Sequence, residues 1–297
     1  MYKIENSTVF TLSAAHEPVL RVPEGTELIF STLDCFSNQL TNEEQSIDRL
    51  DWSRINPATG PVYIEEARPG DILKISILDI KVADVGTMVA IPENGVLGKY
   101  VTEGQIKRIP VKDGSARFNE TIMLPCTPMI GVIGVAPKGD AVPCGEPGCH
   151  GGNMDNSRIS VGSTLYLPVF HSGALLSMGD VHACMGDGEI MVSGLEISSD
   201  ITVRVEIIRG FEISNPMLED ADNCYTIASD EDLETAVETA VYDMAKVLMV
   251  KQDLSFNEAG MLLSAAGNLE FCQVVDPKRT VRMAVPKTII TSLFEAK

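Results

Sequence analysis

Residues 179–189 read Gly-Asp-Val-His-Ala-Cys-Met-Gly-Asp-Gly-Glu. They hold Asp180, His182, Asp187 and Glu189, the densest run of carboxylates and imidazole in the chain. The apolar segment before it, 174–178, is strand-like. If that strand continues, alternation puts Asp180 and His182 on one face. A carboxylate beside an imidazole suits a divalent metal such as zinc. Gly186 and Gly188 allow a sharp turn that returns Glu189 to the same space. The stretch 185–188 also reads as a plain hairpin turn with solvated carboxylates. At this point both readings stand.

Other residues could join such a site. The glycine-rich stretch 138–157 carries His150 and Asp155, and its bare N–H groups could hydrogen-bond an oxyanion. Cys144 and Cys149 beside His150 suggest a structural zinc site, but no second close cysteine pair completes four ligands. Glu196 lies in an apolar run. It is either a buried ligand or proton carrier, since a buried carboxylate needs a cation or donors, or a solvent-facing side chain on an alternating strand. Cys184, two residues beyond His182, is a candidate nucleophile whose evident activating partner is His182. Asp34 closes the strand 27–32. His16 sits in a connection, where an isolated histidine is more often hydrogen-bonded than a ligand. Trp52, the single tryptophan, either closes over a small ligand or fills a core or interface position.

The motif at 179–189 resembles the signature of the acetamidase/formamidase family, Gly-Asp-x-His-x-x-Gln-Gly-Asp-Gly-Glu. Thr32-Leu-Asp34, the run 131–137, His150-Gly-Gly-Asn-Met-Asp155, the segments 165–169 and 194–196, the late helix and the Val274-Val-Asp-Pro277 turn recur in the same order. Nearly the whole chain is covered. Met185 stands where many members carry Gln; this removes a donor and an acceptor and points to altered specificity.

The resemblance implies hydrolysis of small linear amides such as formamide and acetamide to a carboxylate and ammonia. Amide hydrolysis needs an activated nucleophile, an oxyanion stabiliser and an acid for the nitrogen. There is no G-x-S-x-G elbow, so the expected nucleophile is a water activated by a divalent metal, with the Cys184 thiol as the alternative. Cluster and resemblance together give Asp34, His150, Asp180 and His182 as metal ligands, with Asp155 and Glu196 in reserve. Zinc is the expected ion and calcium the alternative. Glu189 or Asp187 acts as general base and then acid, and Met185 bears on the substrate pocket. The rival outside catalysis is a protein that holds a metal for stability alone; the alternative within it is a hydrolase of another linear or cyclic amide, with Met185 marking a less polar pocket.

The 297 residues carry a net charge of −19. Such an acidic chain repels phosphate backbones, which argues against nucleic-acid binding and leaves a neutral amide unhindered. No apolar stretch approaches a membrane helix in length, and residues 1–7 show no signal-peptide pattern. Seven scattered cysteines point to reduced thiols in a cytoplasm.

The elements that must position these residues read mostly as strands: 7–12, 27–32, 72–80, 121–124, 129–136, 165–170, 190–197 and 201–208. A short helix falls near 46–50. Residues 83–110, rich in glycine, read as a long loop of the kind used as a lid or subunit contact. A helix capped by Ser229 and a second opened by the capping box Ser255–Glu258 precede a hairpin over 269–275 and 280–285. The class is therefore α+β, predominantly β (packed sheets or a barrel-like body), with a C-terminal helix pair. It is one domain, divisible into a β-rich body over 1–210 and a C-terminal α+β part over 211–297. A homo-oligomer is expected, with a dimer favoured.

Overall fold

Alternation builds the long strands of the computed structural model, which describes residues 1–294. In Ile72–Val82, Leu73, Ile75 and Ile77 are buried on one face. In Ser199–Ile208, Ile201, Val203, Val205 and Ile207 do the same. The two strands pair antiparallel from Ser199 opposite Val82 to Ile208 opposite Ile72. They sit inside a nine-stranded sheet. Its order is Tyr2–Ile4, Glu27–Thr32, Ser199–Ile208, Ile72–Val82, Thr164–Pro168, Met217–Glu219, Asn223–Asp230, Arg279–Pro286 and Asn268–Gln273. The sheet runs through the 210/211 boundary, so the C-terminal strands extend the same sheet as the N-terminal ones.

A second sheet carries the chemistry. Its centre is Leu176–His182, flanked antiparallel by Met129–Gly134 and Ala58–Ile64. The outer strand Gly151–Asn153 pairs with Met129–Gly134. Every residue of Leu176–His182 and Met129–Gly134 is buried. Strands covered on both faces need no polar alternation, which is why Met129–Gly134 reads as an unbroken apolar run, while Leu176–His182 buries Ser177, Asp180 and His182 among its apolar residues. The predominantly β architecture and the C-terminal helix pair are as expected.

Three local expectations fail for identifiable reasons. Residues 83–110 are not a loop: Val85–Ala90 and Gln105–Lys112 pair antiparallel in register, leaving only 91–104 as the connection. Buried Val89, Ile106, Ile109 and Val111 supply the alternation that the glycines obscured. Residues 190–197 form no strand. Glu189 and Val192 adopt left-handed backbone (φ 50° and 67°), and the chain makes only isolated bridges from Glu196 to Thr87 and His182. Ser229 caps no helix. It lies in Asn223–Asp230, while Asp232 accepts from the backbone N–H groups of Glu234 and Thr235 to start α1, Leu233–Gln252.

The capping box Ser255–Glu258 does open the second helix, α2, Phe256–Ala266. Both helices cover the C-terminal strands through Ala236, Ala240, Met244, Leu248 and Leu263, against Val281, Met283 and Val285. Among the described residues, no helix is long and apolar enough to cross a membrane.

Candidate active site

Asp180 and His182 leave the same strand, and their side chains meet: His182 Nε2 lies 3.5 Å from Asp180 Oδ1. Asp180 occupies the left-handed region (φ 54°), tolerable for an aspartate. The pairing strand opposes it with Gly131, between the Ile130–Val181 and Val132–Gly179 pairs. A side chain at 131 would collide with the carboxylates of Asp155 and Asp180, so this glycine makes the room in which they converge.

His182 is the hub. Its Nε2 is 3.1 Å from Glu196 Oε2 and 3.8 Å from Asp155 Oδ1. Ligand atoms of Asp155, His182 and Glu189 lie within 4.8 Å of one another, as do those of Cys35, Asp180 and Glu196. All six residues are buried. The turn past Gly188 (φ 99°) brings Glu189 back, and its Oε1 accepts the backbone N–H of Gly194 at 3.1 Å.

The electrostatics of this group are extreme. Asp155 Oδ1 and Oδ2, Asp180 Oδ1, Glu196 Oε2 and His182 Nε2 are buried without a hydrogen-bond partner. Burial, then the charge of Asp180, pushes the Asp155 carboxyl well above its ordinary value. Burial pushes Glu189 well up, with Asp155 the next cause. Glu196 rises from 4.5 to about 7, mainly by burial. Burial opposes the His182 imidazolium, yet Glu196 and Asp180 outweigh it and raise that group. Orphaned acceptors facing one imidazole are what a bound divalent cation satisfies; the donor set fits such an ion.

The other expected site residues are placed as follows. Asp34 stands beside the group, not in it: its Oδ1 accepts the Asn38 backbone N–H at 2.6 Å, fixing the turn that presents Cys35. His150 is buried with Nε2 unpartnered, its ring between Gly148 and Gly152, and belongs to neither ligand group. Burial, then Lys278, lowers it to about 4, so it is a neutral imidazole. Asp187 is drawn away, held by Arg282 and by the Ser157 hydroxyl at 2.6 Å. Cys184 turns to Cys126 (Sγ–Sγ 3.4 Å) and the Pro125 carbonyl. Its thiol is pushed up to about 12 by burial and Cys126, which makes it a poor nucleophile. Met185 Sδ lies 3.2 Å from His182 Nδ1, so it bears on the histidine's far ring nitrogen.

The glycine loop offers fewer free donors than expected, because the N–H groups of Gly148 and Gly151 bond each other's carbonyls. Cys144 and Cys149 join no ligand group. His16 bonds Thr11 at 2.9 Å.

Two site residues escaped the sequence reading. Cys35 follows Asp34 directly, but a buried cysteine is ordinary core. Asp276 comes from the last hairpin turn. It accepts Asn153 Nδ2 at 2.9 Å, and burial, then Glu189, raises its carboxyl. Its signal was the Val274-Val-Asp-Pro277 turn, which by itself reads as a solvated Asp-Pro corner. Above the group opens a cavity of about 420 Å³ with Asn153, Asp180, Glu189, Glu196 and Asp276 in its lining. A second cavity of about 460 Å³, lined by Cys184 and Met185, shares only Glu189 with it.

A β-rich protein with a buried polyacid site under a solvent-reachable cavity is the class this geometry defines. The acetamidase/formamidase family model matches residues 14–144 and 140–292. The chain is similar to the acetamidase of Bacillus halodurans, with 42% identity, 99% and 100% of the two chains covered and a TM-score of 0.96. It is also similar to a predicted acetamidase/formamidase of Thermoanaerobacter tengcongensis, with 45% identity, 98% and 97% covered and a TM-score of 0.96. Against the formamidase of Methylophilus methylotrophus, identity is 24% over 68% of this chain. The chain spans 65% of the length of that curated relative. The chain belongs to the acetamidase/formamidase family.

Proposed function

We propose that the chain is an amidohydrolase cleaving the C–N bond of linear amides to a carboxylate and ammonia. The observation that carries this reading is the ring of unpartnered buried carboxylates around His182 at the floor of an open cavity. The family's named acetamidases and formamidases support the reaction class.

Asp155, Asp180, His182 and Glu196 would hold one divalent cation or a close pair. The imidazole favours zinc over calcium. When bound, such an ion polarises a carbonyl and lowers the pKa of water. Glu189 takes the proton of the attacking water and returns it to the departing nitrogen; its burial keeps its carboxyl basic enough for both steps. Asn153 orients the substrate. Its Nδ2 is committed to Asp276, which leaves the unpartnered Oδ1 to accept an amide N–H. Asp187 is reassigned from acid–base work to anchoring the 186–189 turn on Arg282.

The seven free cysteines, including the unbridged Cys126–Cys184 pair, support a cytoplasmic location. Exposed apolar side chains, Phe256 and Met261 on α2 and Leu269 and Phe271 on the edge strand, support a homodimer.

Ammonia release from an amide panel, with elemental analysis of wild type and His182→Ala, tests the reading. About one or two divalent ions per chain, lost together with activity in the variant, is the expected result. Full activity after exhaustive chelation would remove the metal from the mechanism. A metal-bearing protein that hydrolyses no amide would favour the purely structural role.

A further inference from the structure

The cavity is oversized for the smallest amides. At about 420 Å³, it compares with roughly 30 Å³ for one water in the liquid. Acetamide, with four heavy atoms, displaces only a few waters and leaves most of the space wet. The carboxylates gather at the floor, while Phe36, Trp52, Ile55 and Val192 give the walls apolar surface beside Asn56 and Asn94. No lysine or arginine lines it among the described residues. Glu146 at its edge is itself paired with Lys278 at 3.9 Å.

Trp52 is the telling residue. It sits on the short 3-10 turn Trp52–Arg54, which Asp51 caps by accepting the Ser53 backbone N–H. The turn is therefore held, yet the indole is 48% exposed. A half-exposed side chain at a cavity edge keeps apolar surface free for an apolar ligand laid against it.

We propose that the substrate class of this site is the neutral primary amide of a bulky apolar acid, of arylacetyl or branched-alkyl type, whose acyl group fills the walls and reaches Trp52. This rests on the amidase reading. Asn153 and the floor carboxylates take the amide end, which both small and large substrates share. The walls discriminate. Apolar contact remote from the reacting carbon is binding energy that a truncated substrate cannot use, so acetamide loses turnover as well as affinity. Each methylene-sized group in such a pocket is worth roughly 10- to 200-fold. The kcat/KM for phenylacetamide should therefore exceed that for acetamide by about 100-fold or more.

The chain has one tryptophan, so its fluorescence reports on the cavity edge without any turnover. The experiment measures kcat/KM of the whole 297-residue chain for acetamide, isobutyramide and phenylacetamide, and titrates each amide against Trp52 emission. The expected result is rising kcat/KM along the series and a saturable emission change with phenylacetamide but not acetamide. In Trp52→Ala the phenylacetamide-to-acetamide ratio should fall by roughly tenfold. If acetamide is hydrolysed as well as phenylacetamide and emission ignores both, the proposal is overturned while the amidase reading stands. If no amide is hydrolysed but phenylacetamide alone saturates the emission change, the amidase reading falls and the ligand class stands. If nothing is hydrolysed and nothing moves the emission, both are lost.

Discussion

Replacing Gly131 by alanine adds one carbon at the point where the site is tightest. The new Cβ would stand 2.8 Å from both the Asp180 carbonyl and Asp180 Oδ2, and closer still to Asp155 Oδ1. A carbon and an oxygen in comfortable contact are about 3.3–3.6 Å apart. Each carboxylate must therefore retreat by more than about half an ångström, and Asp155 by nearer one. The backbone cannot absorb this, because Gly131 sits in a buried strand paired on both sides. Sites that hold ions or reacting groups tolerate only about 0.5 Å of error, and a 1 Å misplacement costs about 100-fold in rate. Overpacking a dense core costs about 1–3 kcal/mol, which lowers Tm by roughly 2–10 °C in a chain of this size. We expect kcat/KM for the best amide to fall about 100-fold at 25 °C, where the variant remains folded, with divalent metal content falling in parallel. Ammonia release, elemental analysis and a thermal melt check the three numbers. Wild-type activity and metal content in Gly131→Ala would refute the idea that Asp155 and Asp180 act as one geometrically constrained pair.

Other outcomes follow from the same geometry. In metal-stripped protein, the carboxyls of Asp155, Glu189 and Glu196 and the His182 imidazolium all have raised folded-state values. Their contribution to stability is thus present below the unfolded values and lost as pH rises through the folded ones. For Glu196, the shift from 4.5 to about 7 is worth on the order of 3 kcal/mol. Melts of the stripped protein between pH 5 and pH 8 should show falling Tm, and zinc should restore more at pH 8; a flat profile would contradict this. Arg282→Met removes a fully buried cation that joins Asp187, Glu270 and Asn156. Because both carboxylates reach water, a loss of about 1–3 kcal/mol is expected, with slower turnover as the Asp187 turn loosens; denaturant unfolding and steady-state kinetics would show it. Cys184→Ser should leave kcat/KM nearly unchanged, since the thiol is protonated and turned to Cys126; loss of all activity with metal still bound would revive the thiol route.

What could be read from the sequence was what local geometry enforces. Strand alternation put Asp180 beside His182, and two glycines returned Glu189 to them; both are consequences of a few consecutive dihedral angles. Glu196 was left between a buried and a solvent-facing role, because an apolar run does not say which edge it meets. It is the bridge to Thr87 and His182 that buries it. Asp187 lies apart from the group for the complementary reason. Its neighbours in sequence are site residues, but its partner, Arg282, arrives from a strand 95 residues on. Asp276 and Cys35 went unnoticed because neither residue type is unusual in its local setting.

These misses share a cause with the misplaced strand at 190–197: each depends on where one sheet meets another. The nine-stranded sheet carries the C-terminal hairpin past the domain boundary read from sequence, and two consequences reach the site. Arg282 fixes the turn that presents Glu189, and Asp276 fixes the amide of Asn153. The floor of the cavity is thus braced by two side chains from the C-terminal hairpin, Asp276 and Arg282. A protein that gathers unpaired carboxylates in its interior meets a large desolvation cost. A divalent ion bound among them would offset that cost and stabilise the folded chain.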